Sequence, residues 1–197
     1  MSQPQEVKIV MLGDAGVGKS SILLRFVTND FQEDKESTLG AAFLAKNLTV
    51  NDINYKFQIW DTAGQEKYKS LVPLYYKDAS VAIIVYDITK QASFDVLRNW
   101  VDELKNQAPK DQIIAVVGNK LDLIDDDCVP YEEVKIYARD INAIFKLTSA
   151  KSNQNITDLF EDIAKKLQEQ KFEQLQNKKQ NQKLDNKKKG NKKKGCC

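Results

Sequence analysis

Residues 13 to 20 read Gly-Asp-Ala-Gly-Val-Gly-Lys-Ser, with a second serine at 21. Glycines allow backbone N–H groups to crowd around an anion with no Cβ in the way. A loop that opens into a helix aims those donors, and the helix dipole, at the same point. The spacing of Gly13, Gly18, Lys19 and Ser20 fits G-x-x-x-x-G-K-[ST], in which the lysine reaches the β- and γ-phosphates of a nucleoside triphosphate and the hydroxyl ligates Mg2+. The expected phosphate contacts are therefore Asp14, Ala15, Gly16, Val17, Gly18, Lys19, Ser20 and Ser21. A flexible turn is the competing reading, and the flanks oppose it. "EVKIVML" before the loop is apolar and β-branched, whereas "SSILLRFV" after it sets Ile22, Leu23, Phe26 and Val27 at helical spacing.

A phosphate loop does not choose a base. "IIAVVGNKLDL" runs a buried strand into Asn119, Lys120 and Asp122. A carboxylate at the base edge accepts both the ring N1–H and the exocyclic amine of guanine, whereas adenine presents an acceptor at that ring position and would leave a buried anion unpaired. In "YKFQIWDTAGQEKY", Asp61 ends a strand where it can hold Mg2+ through water, Gly64 lets a backbone N–H approach a terminal phosphate, and Gln65 follows.

These three stretches, in the order they take along the chain, resemble the small GTPases of the Ras superfamily and, within them, the Rabs; the motifs cover residues 7 to 170. The resemblance implies that Thr38 in "ESTLGAAF" closes on Mg2+ and the γ-phosphate. It implies that Ser149, Ala150 and Lys151 of "TSAK" touch the guanine, with Leu147 standing where an acidic residue is usual. Phe31 is either the aromatic laid edge-on against the base or an ordinary core phenylalanine. Gln65 would orient the attacking water while Lys19 holds the phosphates. None of Arg25, Arg98 and Arg139 is placed by sequence to act in cis, which predicts slow turnover without a partner. Ala15 stands where Ras has glycine, and a methyl near the γ-phosphate would slow hydrolysis further.

A slow hydrolase is a switch. Segments 29 to 43 and 62 to 78 are expected to order with GTP and relax with GDP. Phe43, Trp60 and Tyr75 match the Rab aromatic trio read by effectors, the alternative being that Trp60 points inward along an alternating strand. By the same resemblance the partners are effectors, an exchange factor, a GTPase-activating protein, a GDP-dissociation inhibitor and a prenylation escort, around a monomeric domain. "STLGAAFLAK" and "LVPLYYKDASVAIIVYDIT" are similar to the early-endosomal Rabs, which points to the cytoplasmic face of that membrane, with a cytosolic pool when extracted.

The elements that must position these residues alternate. "KNLTVNDINYKFQIW" reads as a hairpin turning at Asn51 to Asn54, which supplies an antiparallel edge strand. "SVAIIVYDI" and "QIIAVVGN" are continuous apolar runs, as central parallel strands require. "SFDVLRNWVDELKNQ", "YEEVKIYARDIN" and "NITDLFEDIAKKLQEQ" read as amphipathic helices. This is a three-layer α/β fold, and the resemblance makes it the P-loop NTPase fold with six strands, one antiparallel. Every motif falls at a strand's carboxyl end, where such sheets bind ligands.

Composition divides the chain at 170. The net charge of +2 hides nine lysines against Asp185 alone after residue 177; the remainder carries 21 basic and 27 acidic residues. An acidic body with a basic terminal run argues against a nucleic-acid reader, whose positive charge belongs on the folded face. Residues 171 to 197 are poor in apolar side chains and are expected to be a disordered basic tail. The tail ends "KKKGCC", and Cys196 and Cys197 resemble the Rab signal for two geranylgeranyl groups. Two hydrocarbon chains anchor stably, and each nearby lysine adds about 1 kcal/mol against anionic lipid. No leader and no run of about 18 apolar residues precedes this, which predicts a chain on the cytosolic side. Three cysteines do not make a disulfide framework, and Cys128 receives no role. Two other classes compete: a P-loop phosphotransferase, which has no use for Asn119 and Asp122, and a GTP-binding scaffold without turnover, which has none for Gln65.

Overall fold

The computed structural model describes residues 3–33, 38–64, 70–126 and 128–191, with side chains to 176. In chain order the elements are β1 (Gln5–Gly13), α1 (Lys19–Thr28), β2 (Ala41–Val50), β3 (Ile53–Thr62), α2 (Pro73–Tyr76), β4 (Val81–Asp87), α3 (Gln91–Gln107), β5 (Ile113–Asn119), a 3-10 turn (Leu121–Asp126), α4 (Tyr131–Asp140), β6 (Ile144–Leu147) and α5 (Ile156–Asn191). One six-stranded sheet runs β2-β3-β1-β4-β5-β6. Only β2 and β3 pair antiparallel; the other neighbours are parallel.

Side-chain alternation divides the core into two layers. Val7, Ile9 and Met11 of β1 and Val81, Ile83 and Val85 of β4 face one cluster with Ile22, Leu23 and Phe26 of α1 and Leu159, Phe160 and Ile163 of α5. Val10, Leu12, Ala82, Ile84 and Tyr86 face the other, against Phe94, Leu97 and Val101 of α3 and Val134 and Ala138 of α4. All seven residues of β4 are buried, because helices cover both of its faces.

The hairpin turns on two residues, Asn51 (φ 50°) and Asp52 (φ 61°). Both are left-handed, as a two-residue hairpin loop needs, and Asn and Asp tolerate that region. The expected turn from Asn51 to Asn54 is thus shortened, since Ile53 already pairs with Val50. Helix α4 stops at Asp140, two residues before the expected end. The last helix, α5, runs on to Asn191. Lys, Gln, Glu and Leu are good helix formers, and no glycine or proline intervenes before Gly190. Phe172 and Leu175 in that stretch are exposed.

The layer of α1 and α5 is joined by stacked rings of Phe26 and Phe160, centroids 3.6 Å apart. Phe160→Ala should therefore cost about 3–5 kcal/mol of unfolding free energy in a urea titration, the range for emptying a buried phenylalanine.

Candidate nucleotide-binding site

The sheet's carboxyl edge gathers the motifs. Strand β1 ends in the phosphate loop, and α1 begins at Lys19 behind Gly18, whose φ of 93° is left-handed and which makes no side-chain cap. The first N–H groups of α1 are therefore free to serve an anion. A Cβ on Gly18 would lie 2.2 Å from Asn119 Nδ2. Its absence lets that amide donate to Val17 O at 2.9 Å. Gly64 makes the other close approach: its Cβ would lie 2.5 Å from Ala15 N and from Asp14 C and O.

Lys19 is buried, and its Nζ donates to Gly13 O at 2.9 Å and Asp14 O at 2.7 Å. Burial pulls its pKa from 10.5 down to about 8, with Asp61 and Asp14 opposing the fall. An anion beside it would favour the charged form. Ser20 from α1, Thr38 from the segment before β2 and Asp61 from the end of β3 converge. Ser20 Oγ lies 2.7 Å from Thr38 Oγ1 and donates to Asp61 Oδ2. Three hard oxygens from three elements are the donor type that Mg2+ takes. Ala63 N donates to Gly40 O at 2.8 Å, so the segments carrying Thr38 and Gly64 are linked behind the site.

On the base side, Asn119 Oδ1 accepts from Thr148 Oγ1 at 3.2 Å and Ala150 N at 3.3 Å. Lys120 sits at φ 71°, an uncommon conformation for a lysine, and its Nζ pairs with Asp87 Oδ2 at 2.6 Å. Asp87 is buried and also accepts from Thr89 N at 3.0 Å and Thr89 Oγ1 at 2.7 Å. Asp122 Oδ1 accepts from Ser149 Oγ at 2.5 Å. Lys151 Nζ pairs with Glu33 at 2.7 Å, and that carboxylate holds the lysine's pKa above its ordinary value.

A cavity of about 560 Å³ is lined by Ala15, Gly16, Gly18, Lys19, Ser20 and Ser21, by Phe31, Thr38 and Gly64, and by Asn119, Lys120, Asp122, Ala150 and Lys151. Asp14, Val17, Asp61 and Ser149 stand behind these and hold them through the bonds given above. Phe31 takes part in both readings offered for it, since it lines the cavity and also packs on the α1/α5 core. Gln32, Glu33, Thr62 and Leu123 complete the wall; no motif announced them. Gln65, Cys196 and Cys197 lie outside the described residues.

A model of the Ras family matches residues 8–169. Ras-related protein RABF2a of Arabidopsis thaliana is 53% identical over 160 residues, covering 81% of this chain and 80% of that protein. Ras-related protein Rab5A of Oryza sativa subsp. japonica is 52% identical over 163 residues, covering 83% and 80%. The chain belongs to the Ras family.

It is a Rab small GTPase of the early-endosomal subgroup, and so a GTP-hydrolysing enzyme. Two features of this GTPase lie away from the cavity. Phe43, Trp60 and Tyr75 form a row of rings, 5.1 Å and 5.2 Å between successive centroids, with Phe43 49% exposed. Trp60 and Tyr75 are half-buried, so Trp60 is not swallowed by the core. Among the described residues no arginine lines the cavity. Arg98 pairs with Glu133 and Arg139 with Asp140, and Arg25 donates to carbonyls behind the base side.

Burial by itself would raise the pKa of Asp87, but hydrogen bonds from Lys120 and Thr89 outweigh it and hold the carboxyl below 3.8. A folded value below the unfolded one means stability that is present above pH 3.8 and lost as pH falls through the folded value. Acid unfolding followed by circular dichroism should show this loss below about pH 4. Asp87→Asn should flatten that part of the profile and cost about 3 kcal/mol near neutrality, by stranding the lysine.

Proposed function

We propose that this GTPase is a membrane-tethered timer in which segments 29 to 43 and 62 to 78 are ordered by the terminal phosphate of GTP and relax with GDP. The observation that carries this reading is the meeting of Ser20, Thr38 and Asp61 beside the buried ammonium of Lys19. Thr38 belongs to a segment with no other tie to the phosphate loop among the hydrogen bonds described, so whatever sits between these oxygens decides where that segment lies.

The residues divide the work. Backbone N–H groups from Asp14 to Ser21 and the Lys19 ammonium bind the phosphates, with the carbonyls of Gly13 and Asp14 keeping the ammonium aimed. Ser20, Thr38 and, through water, Asp61 would hold Mg2+, which supplies neutralisation of charge on the β- and γ-phosphate oxygens. Gly64 brings a backbone N–H to the terminal phosphate, and Gln65 orients the attacking water. Asp122 accepts from guanine N1–H and its amine, Lys120 and Asn119 brace that edge, Phe31 flanks the base, and Ser149, Ala150 and Lys151 close it.

Since all three arginines are engaged elsewhere, the chain offers no arginine to join Lys19 and Mg2+ in neutralising charge that develops on the γ-phosphate. Turnover is slow until an activating protein lends an arginine, worth on the order of 10³ to 10⁵ in rate. The methyl of Ala15, on the cavity wall, slows it further. Hydrolysis releases Thr38 and Gly64, and the link from Ala63 to Gly40 makes the two segments move together. The row of Phe43, Trp60 and Tyr75 spans both, so effectors that dock on it read the nucleotide state; aromatic residues are the usual anchors of such contacts.

Residues 1 to 170 are the switch and 171 to 197 the tether. Among the described residues no helix is long and apolar enough to cross a membrane. Anchoring is by geranylgeranyl groups on Cys196 and Cys197, aided by the lysine run, on the cytoplasmic face of early endosomes. An exchange factor, a GDP-dissociation inhibitor and a prenylation escort complete the cycle.

Competition between fluorescent and plain nucleotides tests the base half. GTP should displace the probe at least about 10³-fold better than ATP, and Asp122→Ala should erase most of that preference; equal affinities in the native chain would favour a phosphotransferase. Imaging a tagged chain tests the tether: the native tail should mark endosomes, and removal of Cys196 and Cys197 should leave the signal diffuse.

A further inference from the structure

Arg25 contributes nothing to the phosphate cradle, yet three of its donors are engaged. From the last turn of α1 it donates through Nε to Ala150 O at 2.8 Å, through Nη2 to Lys151 O at 3.0 Å, and through Nη1 to Asn29 O at 2.8 Å. The first two acceptors are the main chain that closes the base side of the cavity. The third is the C-cap of α1, at φ 59°, where the chain turns toward Phe31 and Glu33. The guanidinium carbon also lies 5.7 Å from the centre of the Phe31 ring. Further out, the same two segments are stitched again, by Asn153 Nδ2 to Asn29 Oδ1 at 3.0 Å and by the Lys151–Glu33 pair.

We propose that Arg25 is a positioning residue for the guanine base: its planar fork sets the spacing between segment 148–151 and segment 29–33, and through it the rate at which guanine nucleotide leaves. The inference rests on reading the cavity as a guanine-nucleotide site. Arg25 does not line the cavity; it acts through Ala150, Lys151 and Phe31. A lysine would offer one ammonium where three carbonyls on two segments are met by one rigid plane. Losing two charge-assisted bonds loosens the wall against which the base is held. Lys19 and Ser20 sit at the other end of α1 and take their partners from other elements, so the phosphate half stays as it is.

The test exploits that division. The full-length chain is loaded with a fluorescent GDP, and release is followed on adding excess unlabelled GDP. In parallel, the nucleotide-stripped chain is titrated with pyrophosphate in the presence of Mg2+. Arg25→Lys should release GDP about tenfold faster or more, the factor that one lost charged hydrogen bond represents, with pyrophosphate affinity unchanged. Release at the native rate would overturn the inference, and so would an equal loss of GDP and pyrophosphate affinity, which marks a general loosening of the fold. Should Arg25→Lys fail to fold, Arg25→Gln is read by the same two measurements. Failure of both to fold would make Arg25 a support of the fold and overturn the proposal. A native chain that retains no fluorescent GDP would instead overturn the reading of the cavity itself.

Discussion

The side-chain amide of Asn119 is the joint on which the site depends. Its Nδ2 donates to Val17 O in the phosphate loop, while its Oδ1 accepts from Thr148 and Ala150 on the base side. One buried group thereby ties the phosphate loop to the segment of Thr148 and Ala150 across the cavity. Asn is suited to this because it offers donor and acceptor at once. The joint requires a glycine at 18, since any side chain there would occupy the amide's place. Being buried, its polar atoms would be costly if left without partners, which makes the whole arrangement rigid.

Against that rigid frame the other contacts are lighter. Thr38 reaches Ser20 by one hydroxyl contact, and Gly64 approaches the phosphate loop by backbone proximity. Among their described residues Leu39, Leu71 and Leu74 are exposed, while Val72 and Tyr76 anchor α2 in the core. The rings of Phe43, Trp60 and Tyr75 form a row from β2 across β3 to α2 at the β2 edge of the sheet.

Much of this was legible before any coordinates. The phosphate loop, Asp61 and the Asn119-Lys120-x-Asp122 stretch each stand at the end of an apolar run, and the cavity lining includes most of the residues those motifs named. Strand β6 was harder to locate, because four half-buried residues, Ile144–Leu147, make no long apolar run. Asp87 gave no signal: it ends a strand like any polar residue, and its role lies in a lysine 33 positions later.

The amino-acid sequence by itself determined the chemistry available: a glycine-rich anion loop, a carboxylate for guanine, hard oxygens for a divalent cation, and elements whose period of two or 3.6 dictates strand or helix. Those are local properties, set by side-chain type and spacing along a few residues. Only the tertiary structure decided that Ser20, Thr38 and Asp61 meet, that Asn119 spans the two halves, and that Arg25 clasps carbonyls 125 and 126 residues away. The physical reason is that such contacts depend on strand order and on the twist and layering of the sheet, which arise from the packing of the whole core and leave no mark on any single stretch of chain.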